Sequence, residues 1–82
     1  MTDAIIDAII NAYHVGLLQY DEMSVCNVKV NMKMFTRFNI LTFNYCGVIS
    51  TINVYDNDSL YAQEISIDNT IRDLITMVDS NK

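Results

Sequence analysis

The side chains that could carry out catalysis are few in this sequence. His14 is the only histidine, and on a helical wheel it shares a polar stripe with Asp3, Asp7 and Asn11. An acid–histidine pair of this kind can transfer protons or bind a metal ion. Neither a nucleophile nor a third ligand accompanies the pair in the sequence. We therefore interpret the stripe as an exposed helix face and expect no enzyme activity, no metal site and no cofactor.

The cysteines and an acidic turn are two further patterns typical of metal sites, and both lack ligands that such sites need. Cys26 and Cys46 do not form a CxxC motif, and a zinc site would need two more soft ligands. We expect Cys26 to be a small core residue and Cys46 to be exposed at a turn. Residues 56–58 are acidic like the start of a calcium loop, but Tyr61 and Ile67 stand where that loop needs glycine and glutamate.

Lys29, Lys33 and Arg37 form the basic cluster of the sequence, and Phe35 and Phe38 lie among them. A sheet face with this composition can stack bases and hold phosphates, as single-strand nucleic-acid binders do. Three cations contribute little, however, on a chain with a net charge of -5 and a pI near 4.3. We therefore favour a solvated sheet face whose lysines discourage edge-to-edge pairing.

These residues are positioned by elements that hydrophobic periodicity predicts. Apolar residues recur with a helical period over residues 3–18. Over residues 25–34 the period changes to two, which is typical of a strand with one buried face. Residues 38–45 and 48–55 are rich in β-branched and aromatic side chains and predict two further strands. Between these two strands, residues 44–47 predict a type I turn that ends in a left-handed glycine.

The C-terminal part of the chain predicts a second helix. Residues 60–67 fit either a short fourth strand or an extended connection. Asp68 has the type and position of a helix N-cap, and the apolar residues after it recur with a helical period. The predicted order is a helix, an antiparallel meander of three to four strands, and a helix, in one α+β domain over residues 1–82. We expect two layers, with both helices on one sheet face.

Charge is distributed unevenly along the chain. Residues 1–22 and 56–82 carry a net charge of -4 each, and residues 23–55 carry +3. If the helices cover one face of the sheet, the other face is basic and rich in asparagine, while the helices and turns are acidic. Such polarity is informative about binding partners and not about the fold.

The location of the protein follows from segments that the sequence lacks. It has no apolar run long enough to cross a bilayer, and its N-terminus lacks the basic region of a secretory signal. Two cysteines are too few for the disulfide framework of a small secreted domain. We therefore expect a cytoplasmic protein with reduced thiols and no membrane contact, located in the host cell if the chain is phage-encoded.

A non-catalytic protein-binding module is the function that these features favour. In size, acidity and lack of catalytic residues the chain is similar to small phage-encoded inhibitors of host defence nucleases, anti-CRISPR proteins among them. The likeness implies a viral inhibitor that binds a nucleic-acid-handling enzyme through local acidic patches or by shape. The candidate contacts for that partner are Asp21, Glu22, Asp56, Asp58, Glu64 and Asp73.

Two alternatives remain open. A self-assembling subunit, such as a homodimer, would bury aromatic residues on the uncovered sheet face. Phe35, Tyr55 and either Phe43 or Tyr45 are expected there, depending on strand register. A weak single-strand nucleic-acid binder would instead use the basic cluster on that face.

Overall fold

Two α-helices cover one face of a four-stranded antiparallel sheet in the computed structural model, which describes residues 1–81. The strands form a meander, so that sequence neighbours are also sheet neighbours. This architecture confirms the predicted α+β fold. The elements are α1 (Thr2–His14), a 3-10 turn (Leu17–Gln19), β1 (Met23–Val25), β2 (Val28–Met34), β3 (Phe38–Tyr45), β4 (Val48–Tyr55) and α2 (Leu60–Ser80).

Helix α1 is amphipathic and ends sooner than its periodicity predicts. Ile6 and Ile9 are buried, since residues three to four apart lie on the same face of a helix. The helix ends at His14, and Gly16 follows with a left-handed φ of 79°. Glycine adopts this conformation at little cost. The chain changes direction there, and Leu18 of the 3-10 turn is buried in the core.

The first predicted strand is interrupted by a turn. Cys26 and Asn27 both have positive φ angles, 48° and 71°, which a two-residue type I′ hairpin loop requires. The loop divides the predicted segment into β1 and β2 and pairs Val25 with Val28. Cys26 is therefore exposed, and the prediction that it lies in the core is wrong. Residues with a Cβ rarely adopt positive φ, so periodicity alone does not reveal this loop.

The loop between β3 and β4 also has two residues. Cys46 and Gly47 have φ angles of 54° and 84°, and they leave Tyr45 paired directly with Val48. The Asn44 side chain accepts a hydrogen bond from the Gly47 N–H at 3.1 Å. The turn lies at the predicted place, but it is a two-residue loop with both residues left-handed and not a type I turn with a bulge.

Residues 60–67 are helical, so neither a fourth strand nor an extended connection lies there. Helix α2 begins directly after Ser59, whose hydroxyl accepts a hydrogen bond from the Ala62 N–H at 3.1 Å. That bond satisfies one of the free donors in the first helical turn. Asp68 is consequently not an N-cap. It lies within α2, where its carboxylate accepts a hydrogen bond from Arg72 at 3.1 Å.

The burial pattern of α2 explains why the helix extends over this segment. Ile67, Ile71 and Leu74 are buried at a spacing of three to four residues, and Gln63 continues the same stripe toward the N-terminus. A strand over this segment would not bury residues with that spacing. Although α2 is long, no helix among residues 1–81 combines the length and the apolar composition that crossing a bilayer requires.

Strand register decides which side chains lie under the helices. Met32, Leu41 and Ile52 pair across β2, β3 and β4, and Val30 pairs with Phe43 in the next row. These side chains pack with apolar residues of both helices. Alternate residues of a strand point to opposite faces, so the residues between them lie on the outer face, away from the helices. Both helices therefore lie on one face of the sheet, as predicted.

The Ser59→Ala substitution tests where α2 begins. Removal of the hydroxyl leaves the Ala62 N–H without its acceptor, so we expect the free energy of unfolding to fall by about 1 kcal/mol. Ser66→Ala is the matched control because Ser66 is exposed within α2, and it should be neutral or slightly stabilising. Urea unfolding followed by circular dichroism measures both. Equal effects of the two substitutions would contradict an N-cap at Ser59.

Candidate functional site

The outer face of the sheet is uncovered, polar and positively charged. Strands β1 to β4 contain no acidic residue, whereas Lys29 and Lys33 are exposed on β2. Most of the other side chains on this face are asparagine, serine and threonine. The strand residues of the outer face are Ser24, Lys29, Asn31, Lys33, Phe38, Ile40, Thr42, Asn44, Ile49, Thr51, Asn53 and Tyr55.

Three aromatic side chains form a row across one end of this face. Phe35 and Phe38 flank a two-residue hairpin loop, where the Phe35 N–H donates to the Phe38 carbonyl at 2.9 Å. Phe38 in turn pairs with Tyr55 of β4. The ring centroids lie 5.0 Å apart in the first pair, which is stacked, and 5.8 Å apart in the second. We call Phe35, Phe38 and Tyr55 the aromatic row.

A cleft of about 820 Å³ opens beside the aromatic row. Arg37 and Asp56 contribute opposite charges to its lining, and the Asp56 N–H donates to the Arg37 carbonyl at 3.0 Å. The Asn53 Nδ2 lies 3.5 Å from the Tyr55 hydroxyl and supports that ring. The cleft therefore combines an apolar wall with one cation and one anion. The lining residues are Phe35, Thr36, Arg37, Phe38, Tyr55, Asp56 and Asn57.

Neither Phe43 nor Tyr45 lies on the outer face. The register places both on the face toward the helices, where Phe43 is fully buried and the Tyr45 hydroxyl donates to the Asp79 carboxylate at 3.0 Å. Phe38 instead supplies the third ring of the outer face. The two-residue loops determine this result, since a shift of one residue would exchange the two faces of a strand.

The basic cluster is divided between a strand and a loop. Lys33 precedes Phe35 by two positions on the same face, so it flanks the aromatic row. Lys29 lies toward the other end of β2. Arg37 lies in the hairpin loop and lines the cleft. Of the three cations, Arg37 and Lys33 are therefore the ones positioned beside the row.

The acidic candidate contacts do not form a single patch. Asp56 and Asp58 lie in the turn between β4 and α2, and Asp56 is the one of the six that lines the cleft. Two others precede β1, where the Asp21 carboxylate accepts a hydrogen bond from the Glu22 N–H at 2.8 Å. The remaining two lie on α2, Glu64 and Asp73.

His14 lies in a contact between the two helices. Its Nε2 is 3.0 Å from Glu64 Oε1, so the two side chains form an ion pair when the imidazole is protonated. Next to it, the Tyr13 hydroxyl donates to Gln63 Oε1 at 2.8 Å. Both contacts join residues 50 positions apart, and no local sequence pattern signals them.

Arg72 bridges the same two helices further along. Its Nε donates to Asp68 at 3.1 Å and its Nη2 to Asp3 at 2.9 Å. The two carboxylates, Asp68 foremost, raise the pKa of Arg72 above its usual value. These groups are exposed, so the bridge contributes little to stability. Asp3 and His14, which the sequence places on an exposed stripe, thus both contact α2.

Gln63 connects the helix contact to the turn beside the cleft. Its side chain is buried, and its Nε2 donates to the Asp58 carbonyl at 2.9 Å while its Oε1 accepts from Tyr13. Both ends of the amide are therefore satisfied, as a buried amide requires. We call this chain of Tyr13, Gln63 and the Asp58 carbonyl the helix clasp. It holds the turn between β4 and α2 against α1.

Among residues 1–81, no group of three or more histidine, cysteine, aspartate or glutamate side chains is arranged to hold a metal ion. His14 and Glu64 are the acid–histidine pair that the fold assembles. Within the same part of the chain, the two cysteines are free thiols. The aromatic row and the cleft present aromatic, apolar and charged side chains to solvent.

No protein-family model matches the sequence, and neither a curated protein nor a solved structure is significantly similar to it. Its function is therefore inferred from its side chains and their geometry.

The Tyr13→Phe substitution tests the helix clasp. It removes the donor to Gln63 Oε1, so we expect the free energy of unfolding near neutral pH to fall by about 1 kcal/mol. Burial also raises the pKa of Tyr13 above 10.0. Its contribution to stability is therefore constant below the pKa of the unfolded chain, about 10, and declines as the pH rises further. Tyr13→Phe should therefore lack the part of the loss of stability at alkaline pH that ionisation of Tyr13 causes.

Urea unfolding at neutral and at alkaline pH measures both effects. Tyr61→Phe is the control. Because Tyr61 is 73% exposed, removal of its hydroxyl should change the free energy of unfolding little. The clasp is contradicted if Tyr13→Phe matches wild type at neutral pH and also declines as steeply at alkaline pH.

Proposed function

We propose that this protein is a non-catalytic module that binds another protein through the aromatic row. The observation that supports this most directly is the exposure of Phe35 and Tyr55, each 45% exposed beside the cleft of the outer face. Aromatic side chains bury a large area on binding. Together with arginine they are enriched among the residues that dominate the energy of protein interfaces, and Arg37 lines the same cleft.

The rings of the aromatic row contact one another in the structure without a partner. Phe35 stacks on Phe38, and Phe38 contacts Tyr55. The backbone hydrogen bonds from Phe35 to Phe38 and from Asp56 to Arg37 fix the chain on both sides of the cleft. Binding therefore loses little conformational entropy at these side chains, which favours affinity.

Three features favour a protein over a nucleic acid as the partner. The Phe38 ring has an aromatic neighbour on each side, so a base has little room to stack on it. Asp56 lines the cleft and repels a phosphate. The whole chain has a net charge of -5, which opposes the approach of a polyanion.

The cleft also indicates the chemistry of the partner surface. An apolar side chain fills the cleft, and charged groups beside it pair with Asp56 and Arg37. Enzymes that handle nucleic acids present basic surfaces that supply the cation for Asp56 and Asp58. We therefore extend the proposal to an inhibitor of a host defence or nucleic-acid-handling enzyme. Such an inhibitor acts by occupying the surface and needs no catalytic residue of its own.

The cytoplasm is the compartment that suits this proposal. Cys26 and Cys46 are both exposed as free thiols. Exposed thiols persist in a reducing compartment and are oxidised outside it.

Capture with matched variants tests the proposal. Tagged wild-type protein, Tyr55→Ala and Tyr61→Ala are each incubated with nuclease-treated lysate of the source cells, and the bound proteins are quantified by mass spectrometry. Tyr61 is the matched control because it is an exposed tyrosine on α2 and not on the outer face. We expect a protein that wild type and Tyr61→Ala retain and that Tyr55→Ala loses.

Titration calorimetry with the captured protein then gives a magnitude. We expect Tyr55→Ala to bind about 30-fold more weakly, which corresponds to the loss of about 2 kcal/mol at an interface anchor. Tyr61→Ala should bind as wild type does. Asp56→Lys tests separately whether the partner surface is basic, as expected for a nucleic-acid-handling enzyme. The substitution should weaken binding to a basic surface and leave binding to a neutral surface unchanged. Unchanged affinity of Tyr55→Ala would remove the aromatic row from the binding site.

Nucleic-acid binding is the outcome that would replace this proposal. A single-stranded oligonucleotide is titrated across a salt series with wild type and with the double variant Lys29→Glu, Lys33→Glu. We expect no binding by wild type at physiological salt. Binding that weakens with salt and disappears in the double variant would assign the outer face to nucleic acid.

A further inference from the structure

The two edges of the sheet differ in length and composition. Strand β1 forms one edge and has three residues, whereas β4 forms the other and has eight. The β4 sequence, Val48–Tyr55, contains no charged residue and no proline, and its register with β3 is unbroken. Proteins usually protect long edges with charges, prolines or bulges, because an open edge pairs with other strands. Strand β4 has none of these protections.

The backbone groups that β4 presents at its edge can be identified. Across the two-residue loop, Val48 pairs with Tyr45, and beyond the other end the Asp56 N–H donates to the Arg37 carbonyl. In an antiparallel pair, hydrogen-bonded positions alternate, so the even-numbered residues of β4 bond to β3. The odd-numbered residues point their N–H and C=O groups away from the sheet. Among residues 1–81, one of these outward groups already has a partner, since the Tyr55 carbonyl accepts a hydrogen bond from the Asp58 N–H at 3.1 Å and keeps its second lone pair. The other outward groups of β4 form no hydrogen bond.

From this edge we infer that the protein forms a homodimer in which β4 pairs antiparallel with β4 of a second copy. The two-fold axis passes beside Ile52, and the two four-stranded sheets join into one continuous sheet. Each outward N–H group of one strand then meets an outward carbonyl of the other. This inference does not depend on the proposed function, because it rests on the backbone edge of β4, although Tyr55 belongs both to that edge and to the aromatic row.

The register follows from the side chains. Pairing must keep the inner and outer faces continuous, so each residue pairs with one of the same parity. With the axis at Ile52, Tyr55 faces Ile49 of the second copy, and Thr51 faces Asn53. Ile49 is 62% exposed and Tyr55 45% exposed, so this register covers apolar surface with apolar surface. An axis one residue away, at Thr51 or Asn53, places Ile49 or Tyr55 against a polar residue or beyond the strand.

Charge favours a second copy over a different partner strand. A two-fold axis at the middle of the strand places the residues beside it near their own symmetry mates, so a charge there repels itself. Strand β4 is uncharged along its whole length. Beside it lies a groove of about 250 Å³ that includes Ile49, Asp73 and Met77, and Asp73, the charged residue of its lining, is on α2 and not on the edge strand. A second copy at the edge covers this groove as well.

Thr51→Pro and Thr51→Ala test the dimer at a single position. The Thr51 N–H points outward, so proline removes a hydrogen bond from the dimer and none from the sheet of one copy. Alanine retains the N–H. Sedimentation analysis over a concentration series should give twice the monomer mass of 9.4 kDa for wild type. We expect the dimer Kd to rise about tenfold or more for Thr51→Pro and to change about twofold or less for Thr51→Ala.

Hydrogen exchange of the wild-type protein tests the same inference without a substitution and decides it if Thr51→Pro does not fold. The amides of Ile49, Thr51, Asn53 and Tyr55 should exchange slowly in the dimer and faster on dilution. The amide of Ile52 should be slow at both concentrations. A strict monomer, or a dimer in which the four outward amides exchange rapidly, would overturn the inference. Protection that appears only on addition of another protein would assign the edge to that protein.

Discussion

Each hairpin of the sheet closes with a loop of two residues, and the position of every functional side chain depends on this constraint. The loops are Cys26–Asn27, Thr36–Arg37 and Cys46–Gly47. Loop length fixes register, and register decides which face each side chain occupies. One extra residue in a loop would move Phe43 out of the core and bring polar residues under the helices. The buried core and the open aromatic row are therefore two results of the same pairing.

The turn between β4 and α2 links the helix layer to the outer face of the sheet. Its residue Asp56 lines the cleft and is bonded to the loop that carries Arg37. Two residues later, the Asp58 carbonyl accepts a hydrogen bond from Gln63, and Gln63 accepts one from Tyr13 of α1. Hydrogen bonds and the covalent chain of the turn from Asp56 to Asp58 thus connect the first helix to the cleft. The geometry of the cleft depends on how the helices pack, although the helices cover the opposite face.

Local hydrophobic periodicity predicts most of the fold. It predicted α1, the three long strands and the order of the layers, because each of these depends on neighbouring residues. It was wrong over residues 60–67, where alternating isoleucines are typical of a strand while the cap at Ser59 and burial at helical spacing favour a helix. Loop conformation decides that Phe38 and not Phe43 lies on the outer face. Long-range packing brings His14 into contact with α2. A single sequence contains no local signal for either.

The two free cysteines lie at the end of the sheet away from the cleft. Cys26 and Cys46 are in the hairpin loops of that end and are exposed, whereas the cleft surrounds the loop at the other end of β2 and β3. With a rise of about 3.3 Å per residue, a strand of this length separates the two ends by about 20 Å. A maleimide surface or fluorophore attached to these thiols would immobilise or label the molecule in a defined orientation. The aromatic row would then face solution.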